Sequence, residues 1–209
     1  SRIYHGNAAA QRVATAIRDT LGVEISDDAD IRILARIEDD LCTLSIDTTG
    51  DSLHKRGHKE AIGKAPLRET LASFFLMQCG YTGTETVFDP MCGSGTFVIE
   101  AAEMAAGLKP GRSRNFAFEK LKSFDASQWH AMRQAMPSTA MPRLTFYGSD
   151  RDAGAITMSK ANAARASVSA ITSFTQAPVS AMTPPEGPAG LVIVNPPYGT
   201  RIGDKRPLH

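Results

Sequence analysis

The chain has 209 residues, a formal net charge of +1 and 42% hydrophobic residues, a balance typical of a globular protein and not of a disordered one. No apolar run reaches the roughly 18 residues that a membrane-spanning helix needs, and the first residues lack the order of a secretory signal. Cys42, Cys79 and Cys92 are widely spaced, which argues against a disulfide framework and a structural zinc site. We therefore expect a cytoplasmic protein with one domain and part of a second.

The charge is distributed unevenly along the chain. Residues 1–53 have a net charge of −5, whereas residues 54–68 have a net charge of +4. This basic segment, which includes His54 and His58, predicts either a phosphate-binding collar between two folded parts or a solvated linker. The acidic first part is not by itself the electrostatic footprint of a nucleic-acid-binding surface.

The first part of the chain predicts a helix followed by a hairpin. Apolar residues recur one turn apart over residues 7–21, with Asn7 as a capping residue and Gly22 as an end signal. Residues 31–37 and 41–46 alternate apolar and polar side chains, which predicts two half-buried strands. A helix and a hairpin bury little core, so we expect this part to lack a portion of its domain.

From residue 67 onward, short apolar strands alternate with helical patterns. This alternation predicts a parallel sheet that is covered by helices. Residues 108–142, between the first two strands of this part, form an insertion with a helix around Trp129. The predicted helices are residues 67–79, 96–106 and 153–166, and the predicted strands are residues 84–88, 144–147, 171–174 and 191–194.

The first candidate site is the glycine loop of residues 89–96, DPMCGSGT. A predicted strand ends in an acid, the chain turns on two glycines and a helix begins, so a ligand can lie against the backbone. Val98 stands where a dinucleotide fingerprint has its third glycine, and no lysine follows either glycine as in a phosphate loop. Asp150, after the second strand, is placed to accept hydrogen bonds from ribose hydroxyls. The pattern favours a nucleoside ligand without a phosphate; the alternative is a tight turn.

The second candidate site is Asn195-Pro196-Pro197-Tyr198, which follows an apolar strand. Prolines have no N–H, so this backbone presents mainly carbonyl acceptors. The Asn195 side-chain oxygen and the Pro196 carbonyl can both accept from one –NH₂ group, and the Tyr198 ring offers a stacking surface. Two such acceptors would draw electron density onto a conjugated amine and aim its lone pair at an electrophile. The pattern predicts a clamp for a planar, amine-bearing substrate; the alternative is a strand-ending turn.

Together these motifs resemble the THUMP-linked class I S-adenosylmethionine-dependent RNA methyltransferases, in particular the large-subunit ribosomal RNA guanine-N2 methyltransferases. Some members of this group are also described as N6-adenine-specific DNA methylase-like. The resemblance implies a Rossmann-like α/β fold with a parallel sheet, preceded by a partial α+β THUMP module. The segments that carry it are LHKRGHKEAIGKAPLRETLA, DPMCGSGTFVIEAA, FEKLKSFD, GSDRDAGAITMSKANAARA and IVNPPYGTRIGD.

The resemblance also implies a division into parts. Residues 1–53 correspond to a partial THUMP-like RNA-binding module, residues 54–68 to a basic linker and residues 69–209 to the methyltransferase domain. The chain ends 11 residues after Tyr198, before the later strands of a full class I sheet. We therefore expect a catalytic domain that is truncated after its fourth strand, and such a fragment could be inactive.

S-adenosyl-L-methionine is the cofactor that the resemblance implies. Asp152 has a weaker case as a cofactor contact than Asp150, which corresponds to the ribose-binding acid. Gln176 aligns with an acid that contacts the adenine in the family, so that contact is carried by a neutral amide here. The residues that correspond to the methionine end of the site are Asp89, Cys92, Gly93 and Gly95.

The substrate side of the site corresponds to Asn195, Pro196 and Tyr198, which hold the target base in the family. The implied reaction is direct methyl transfer to an exocyclic purine amine of RNA, namely guanine-N2 of 23S ribosomal RNA, without a metal. RNA is the expected partner, no membrane is expected, and Arg112 and Arg114 are candidate RNA contacts. The alternatives are a DNA adenine-N6 methyltransferase, a protein-glutamine methyltransferase and a non-catalytic RNA-binding fragment.

Overall fold

The computed structural model describes residues 5–57, 67–135 and 142–196. The chain divides into two compact units, Ser1–Ser52 with Asn115–Trp129, and Leu53–Arg114 with His130–His209. None of the helices in the described ranges has the length and apolar character needed to cross a bilayer.

The first unit contains the predicted helix and hairpin. The helix ends where Gly22 adopts a φ of +64°, and the Gly22 N–H donates to the Arg18 carbonyl. Asn7 is not the capping residue: His5 holds that position, without a side-chain cap, because the helix already begins at Gly6. The elements are α1 (Gly6–Leu21), β1 (Arg32–Glu38) and β2 (Leu41–Asp47).

The two strands pair antiparallel, with Ile33 opposite Ile46 and Ala35 opposite Leu44. The prediction that these strands are half-buried is wrong, because nearly every strand residue is exposed. Within the described residues this sheet has two strands, and a two-stranded ribbon offers no second layer to cover its apolar face.

Residues 115–129, from the predicted insertion, belong to the first unit. The Phe118 N–H donates to the Thr48 carbonyl at 3.0 Å. Trp129 lies edge-on to Phe116 and Phe118, with ring centroids 5.8 and 4.8 Å apart. Trp129 therefore packs in an aromatic cluster, and sequence patterns gave no indication that this segment belongs with the residues before it.

In the described part of the second unit, four parallel strands form one sheet in the order β5-β4-β3-β6. The chain runs from β3 through β4 to β5 on one side and returns to β6 on the other side of β3. The strand order thus reverses at β3, which makes its carboxyl end a topological switch point. The elements of this unit are α2 (Glu69–Gln78), β3 (Val87–Asp89), α3 (Thr96–Ala105), β4 (Phe146–Asp150), α5 (Ala153–Arg165), β5 (Thr172–Gln176) and β6 (Leu191–Val192). The helix α4 (Ala126–Gln134) belongs to the first unit up to Trp129 and to the second unit from His130.

The core of the second unit lies between the sheet and its helices. The predicted α/β alternation is confirmed, and α3 is buried over most of its length because it packs against the sheet, α2 and α5. The largest fully buried apolar side chains are Phe146, Leu76, Val87, Val98 and Val168.

Arg56 corrects the interpretation of the basic segment. Its side chain is buried, at 8% exposure for the residue, and forms a bidentate ion pair with Glu100 of α3 at 3.1 and 3.0 Å. Ser73 of α2 also donates to Glu100. A carboxylate in the core needs a compensating charge, so Arg56 is neither a phosphate contact nor part of a solvated linker. Residues 58–66, including His58, lie outside the described residues.

Arg112 and Arg114 are likewise used inside the second unit. Arg112 donates to the Glu103 carboxylate and to the Ala166 carbonyl, and Arg114, at 7% exposure, donates to the Lys55 carbonyl at 3.2 Å. These contacts argue against the hypothesis that the two arginines contact RNA, because the Glu103 carboxylate and backbone carbonyls already engage their guanidinium groups.

Candidate functional site

The glycine loop connects β3 to α3 at the switch point. β3 ends at Asp89 because Pro90 has no N–H for further pairing. Gly93 and Gly95 adopt φ of +53° and +82°, in the left-handed region that glycine enters at little cost. The Gly95 N–H donates to the Cys92 carbonyl at 2.7 Å, which closes the turn from which α3 begins.

Asp150 fixes the loop from the neighbouring strand. One carboxylate oxygen accepts from the Gly93 N–H at 3.0 Å, and the other accepts from the Asp152 N–H at 3.0 Å. The Cys92 N–H also donates to the Ser149 carbonyl at 2.9 Å. Asp150 is half-buried, and a carboxylate offers about four lone-pair sites, so it can accept further hydrogen bonds from a ligand.

Two polar residues of α5 hold the other side of the loop. The Ser159 hydroxyl donates to the Gly93 carbonyl at 2.8 Å, and the Asn162 amide donates to the Ser94 carbonyl at 3.1 Å. Both side chains are fully buried. The sequence analysis missed them; their signal is a pair of polar residues three positions apart on an otherwise Ala-rich helix face.

Asp89 is 2% exposed and accepts the Met91 N–H at 3.0 Å. Burial raises the pKa of Asp89 to about 7; the Met91 hydrogen bond opposes this shift and the nearby Asp150 charge adds to it. Two acids therefore lie together at the carboxyl ends of β3 and β4. Such a pair favours a ligand that brings positive charge or hydrogen-bond donors.

Cys92 is a packing residue within the loop. Its sulfur lies 3.8 Å from the Ser159 hydroxyl, and burial raises the pKa of the thiol to about 12. A thiol in that state is not a nucleophile at neutral pH.

Gln176 and Asp152 lie near Asp150 in different roles. Gln176 is the strand partner of Asp150 at the carboxyl end of β5, and its side-chain amide donates to the Arg151 carbonyl at 3.1 Å. Asp152 caps α5 by accepting from the Gly154 N–H at 2.8 Å. The weaker case for Asp152 as a ligand contact is consistent with this capping role.

Asn195 and Pro196 follow β6, on the other side of β3. Val192 pairs with Phe88, and the Ile193 N–H donates to the Phe88 carbonyl at 3.0 Å. Asn195 and Pro196 are exposed, whereas Tyr198 lies outside the described residues.

The sheet thus brings the predicted cofactor residues to one edge, with Asn195 and Pro196 at the end of the adjacent strand. Neighbouring parallel strands lie about 4.8 Å apart, so ligands bound at the two strand ends would lie close to one another. In the described ranges no group of three or more His, Cys, Asp or Glu side chains is arranged to hold a metal ion.

The family description "UPF0020: RMKL-like, methyltransferase domain" matches residues 56–209, which begin at the buried Arg56 and include both sites. The chain belongs to this methyltransferase family. Its sheet is therefore the Rossmann-like sheet of that family, and the structural neighbours described below share it.

Individual relatives agree with the family assignment. The chain is 40% identical over 181 residues to ribosomal RNA large subunit methyltransferase K/L of Vibrio campbellii, covering 83% of this chain and 26% of the relative. A structure described as a predicted N6-adenine-specific DNA methylase from Listeria monocytogenes has a TM-score of 0.79 and 33% identity, over 95% of this chain and 52% of that one. The structure of SMU.472, complexed with SAH, has a TM-score of 0.79 and 25% identity, over 95% and 54%.

The chain spans about a quarter of the length of the two Vibrio K/L methyltransferases that it matches. The family match begins at residue 56, whereas the structural likeness to the Listeria monocytogenes neighbour covers 95% of the chain and so extends over most of the residues before it.

We predict that alanine at Gly95 destabilises the second unit more than alanine at Gly93. Both changes place a side chain in the left-handed region, at a cost of about 1–2 kcal/mol. A Cβ at Gly95 would also lie 3.1 Å from the Phe174 ring and from Ser159, whereas a Cβ at Gly93 meets nothing within 4 Å. This crowding should add about 1–3 kcal/mol, measured by urea unfolding. Equal losses in the two variants would contradict the packing of the loop against α5 and β5.

Proposed function

We propose that this chain carries the catalytic domain of an S-adenosylmethionine-dependent methyltransferase that modifies guanine-N2 of large-subunit ribosomal RNA. The observation that carries the proposal is the pairing of β3 with both β4 and β6. It brings an acid-lined glycine loop and an Asn-Pro corner to neighbouring strand ends.

The groups on the cofactor side suit a positively charged nucleoside, because two carboxylates lie beside an open stretch of loop backbone. S-adenosylmethionine, when bound, supplies a methyl group that is already activated on a sulfonium. In our proposal the Asp150 carboxylate accepts from the ribose hydroxyls, Asp89 faces the positive charge of the methionine end, and Gln176 contacts the adenine. Gly93 has no Cβ, so the ligand can approach the loop backbone there. The SAH complex of SMU.472 supports this ligand class.

On the substrate side, Asn195 and Pro196 hold the target amine. Their oxygens accept its two hydrogens, which increases electron density on nitrogen and orients its lone pair. In our proposal Tyr198 stacks on the base. A base within a duplex cannot reach such a corner, so the target is flipped out or lies in an exposed loop.

The identity of the polymer rests on the relatives. The names of the Vibrio relatives specify ribosomal RNA of the large subunit. We also propose that residues 1–53 form the partial THUMP-like RNA-binding module and that the protein acts in the cytoplasm, where its RNA substrate is assembled into ribosomes. Residues 69–209 would then form the methyltransferase domain, to which Arg56 ties the start of the preceding basic segment, residues 54–68.

The direct test is transfer of labelled methyl from S-adenosylmethionine to unmodified 23S ribosomal RNA. Duplex DNA and a release-factor peptide serve as competing substrates. We expect N2-methylguanosine after nucleoside digestion and mass spectrometry, and no label in the other two. Label in adenine of DNA or in glutamine, or binding of S-adenosylmethionine without any transfer, would overturn the proposal.

The second candidate is a DNA adenine-N6 methyltransferase. The description of the Listeria monocytogenes neighbour favours it, and an Asn-Pro-Pro-Tyr corner accepts from an adenine amine as well as from a guanine amine. The acidic charge of residues 1–53 gives no preference for either polymer. The same transfer experiment separates the two candidates.

We predict that variants at the two strand ends separate binding from transfer. Asn195→Ala should leave the affinity for S-adenosylmethionine within twofold and lower single-turnover transfer by about 100-fold, because it removes an acceptor that acts on the reacting amine. Asp150→Ala should lower the affinity by at least about tenfold, because it removes a ligand contact and the anchor of Gly93. Equilibrium dialysis measures the affinity for S-adenosylmethionine. An equal loss of both quantities in Asn195→Ala would mean that this residue is misassigned.

We predict that binding of SAH releases a proton near pH 6. The pKa of Asp89 is about 7 in the free protein, so its carboxyl is mostly protonated at pH 6. A cationic ligand group binds the carboxylate form, and affinity should therefore rise from pH 6 towards pH 7 and then level off. The α-amino group of the ligand titrates near pH 8, above this range. Calorimetry in two buffers of different ionisation enthalpy measures the proton release.

The matched control is Asp152→Asn, which keeps the cap on α5 and should keep the proton release. Asp89→Asn should abolish the release and flatten the pH dependence. SAH binding by the unaltered chain without proton release would remove Asp89 from the ligand site.

A further inference from the structure

The shape of the glycine loop depends on two helices that approach it from different directions. α3 begins in the loop at Gly95, and α5 holds the loop through Ser159 and Asn162. A change in the spacing of α3 and α5 would therefore move the Gly93 and Ser94 carbonyls relative to the start of α3.

Arg112 joins these two helices at their carboxyl ends. One nitrogen of its guanidinium donates to the Glu103 carboxylate, in the last turn of α3, and to the carbonyl of Ala166, the residue that ends α5, at 2.7 Å. A second nitrogen donates to the Lys109 carbonyl at 3.1 Å. The side chains of Arg112 and Glu103 are 17% and 6% exposed, so water screens this contact little.

The contact is specific for a guanidinium. Arginine has five donors in a planar fork and can serve a carboxylate and a carbonyl at once, whereas a lysine ammonium is a compact point charge. Without Arg112, Glu103 would be a buried acid beside Glu100, and burial already raises the pKa of Glu103 to about 7. Protonation of Glu103 would remove the charge that holds α3 to this position.

The backbone around Arg112 is held by a separate set of contacts. Arg133 donates to the Arg112 and Arg114 carbonyls, each at 2.7 Å, and to the Gly111 carbonyl at 3.5 Å. Arg133 therefore offers a matched control: its loss loosens the same segment without breaking the bridge between the helices.

We propose that Arg112 is a positioning residue of the cofactor site, which fixes the spacing of α3 and α5 and thereby the shape of the glycine loop. This inference rests on the proposed function, since the loop is taken to bind the cofactor. It gives a role to a half-buried arginine that the sequence pattern offers only as a candidate RNA contact.

The test compares Arg112→Met, Arg112→Lys and Arg133→Met in the full chain. Three quantities are measured: the free energy of unfolding in urea, the affinity for SAH by calorimetry, and hydrogen exchange of the Gly93 and Gly95 amides. These amides donate to Asp150 and to the Cys92 carbonyl, so their exchange reports the loop directly.

We expect Arg112→Met to lower SAH affinity about tenfold and to speed exchange of both loop amides about tenfold. Arg112→Lys should recover part of both losses, because it keeps a positive charge near Glu103 but cannot also serve Ala166. Arg133→Met should lower stability while leaving SAH affinity and loop exchange within twofold.

The outcomes separate this inference from the proposed function. Unchanged SAH affinity and unchanged amide exchange in Arg112→Met overturn the inference. The inference is also overturned if the Arg112 and Arg133 variants lose SAH affinity in the same proportion to their loss of unfolding free energy. If Arg112→Met does not fold, the same comparison of SAH affinity and amide exchange is made between Arg112→Lys and Arg133→Met. If the unaltered chain binds no SAH but loop exchange still responds to Arg112 alone, the proposed function fails and the positioning role stands.

Discussion

The parallel pairing of β3 with two neighbours is the constraint on which the site depends. β3 contributes three residues, yet it lies between β4 and β6 and ends in Asp89. Parallel strands share a direction, so their carboxyl ends meet at one edge, and reversal of the strand order at β3 opens a crevice there. Asp150 reaches this edge from β4 and Asn195 from beyond β6. With short connections, an antiparallel arrangement would place the carboxyl ends of neighbouring strands at opposite edges of the sheet.

Two arginines that the sequence places in basic segments neutralise buried glutamates in the structure. In the sequence, the basic residues of segments 54–68 and 108–142 have the composition of a surface that binds phosphates. In the structure, Glu100 and Glu103 lie on the buried face of α3, and each requires a cation from another part of the chain. Arg56 and Arg112 supply those cations. A count of charges cannot reveal this, because the two acids look like ordinary exposed residues of a helix until the packing of α3 is known.

The features that could be predicted from the sequence depend on residues that are close together along the chain. The alternation of apolar segments gave the order of strands and helices, and the spacing of Asp89, Gly93, Gly95 and Asp150 gave a loop and an acid at strand ends. What could not be predicted depends on contacts between distant segments. Ser159 and Asn162 matter because α5 packs on the loop, the hairpin is exposed because the described residues supply no second layer, and residues 115–129 join a unit from which they are separated in sequence.

The electrostatics of the loop explain why its proposed ligand should be a cation. Asp89 is buried beside Asp150, so ionising it in the free protein costs desolvation energy and repulsion, which is why its pKa lies near 7. A neutral nucleoside could satisfy Asp150 through its hydroxyls but would leave the Asp89 charge uncompensated. A ligand with both hydroxyls and a positive charge satisfies both acids, and the cost of burying Asp89 is then offset within the complex. If the proposed function holds, the free energy that burial of Asp89 costs would favour a positively charged ligand over a neutral nucleoside of the same shape.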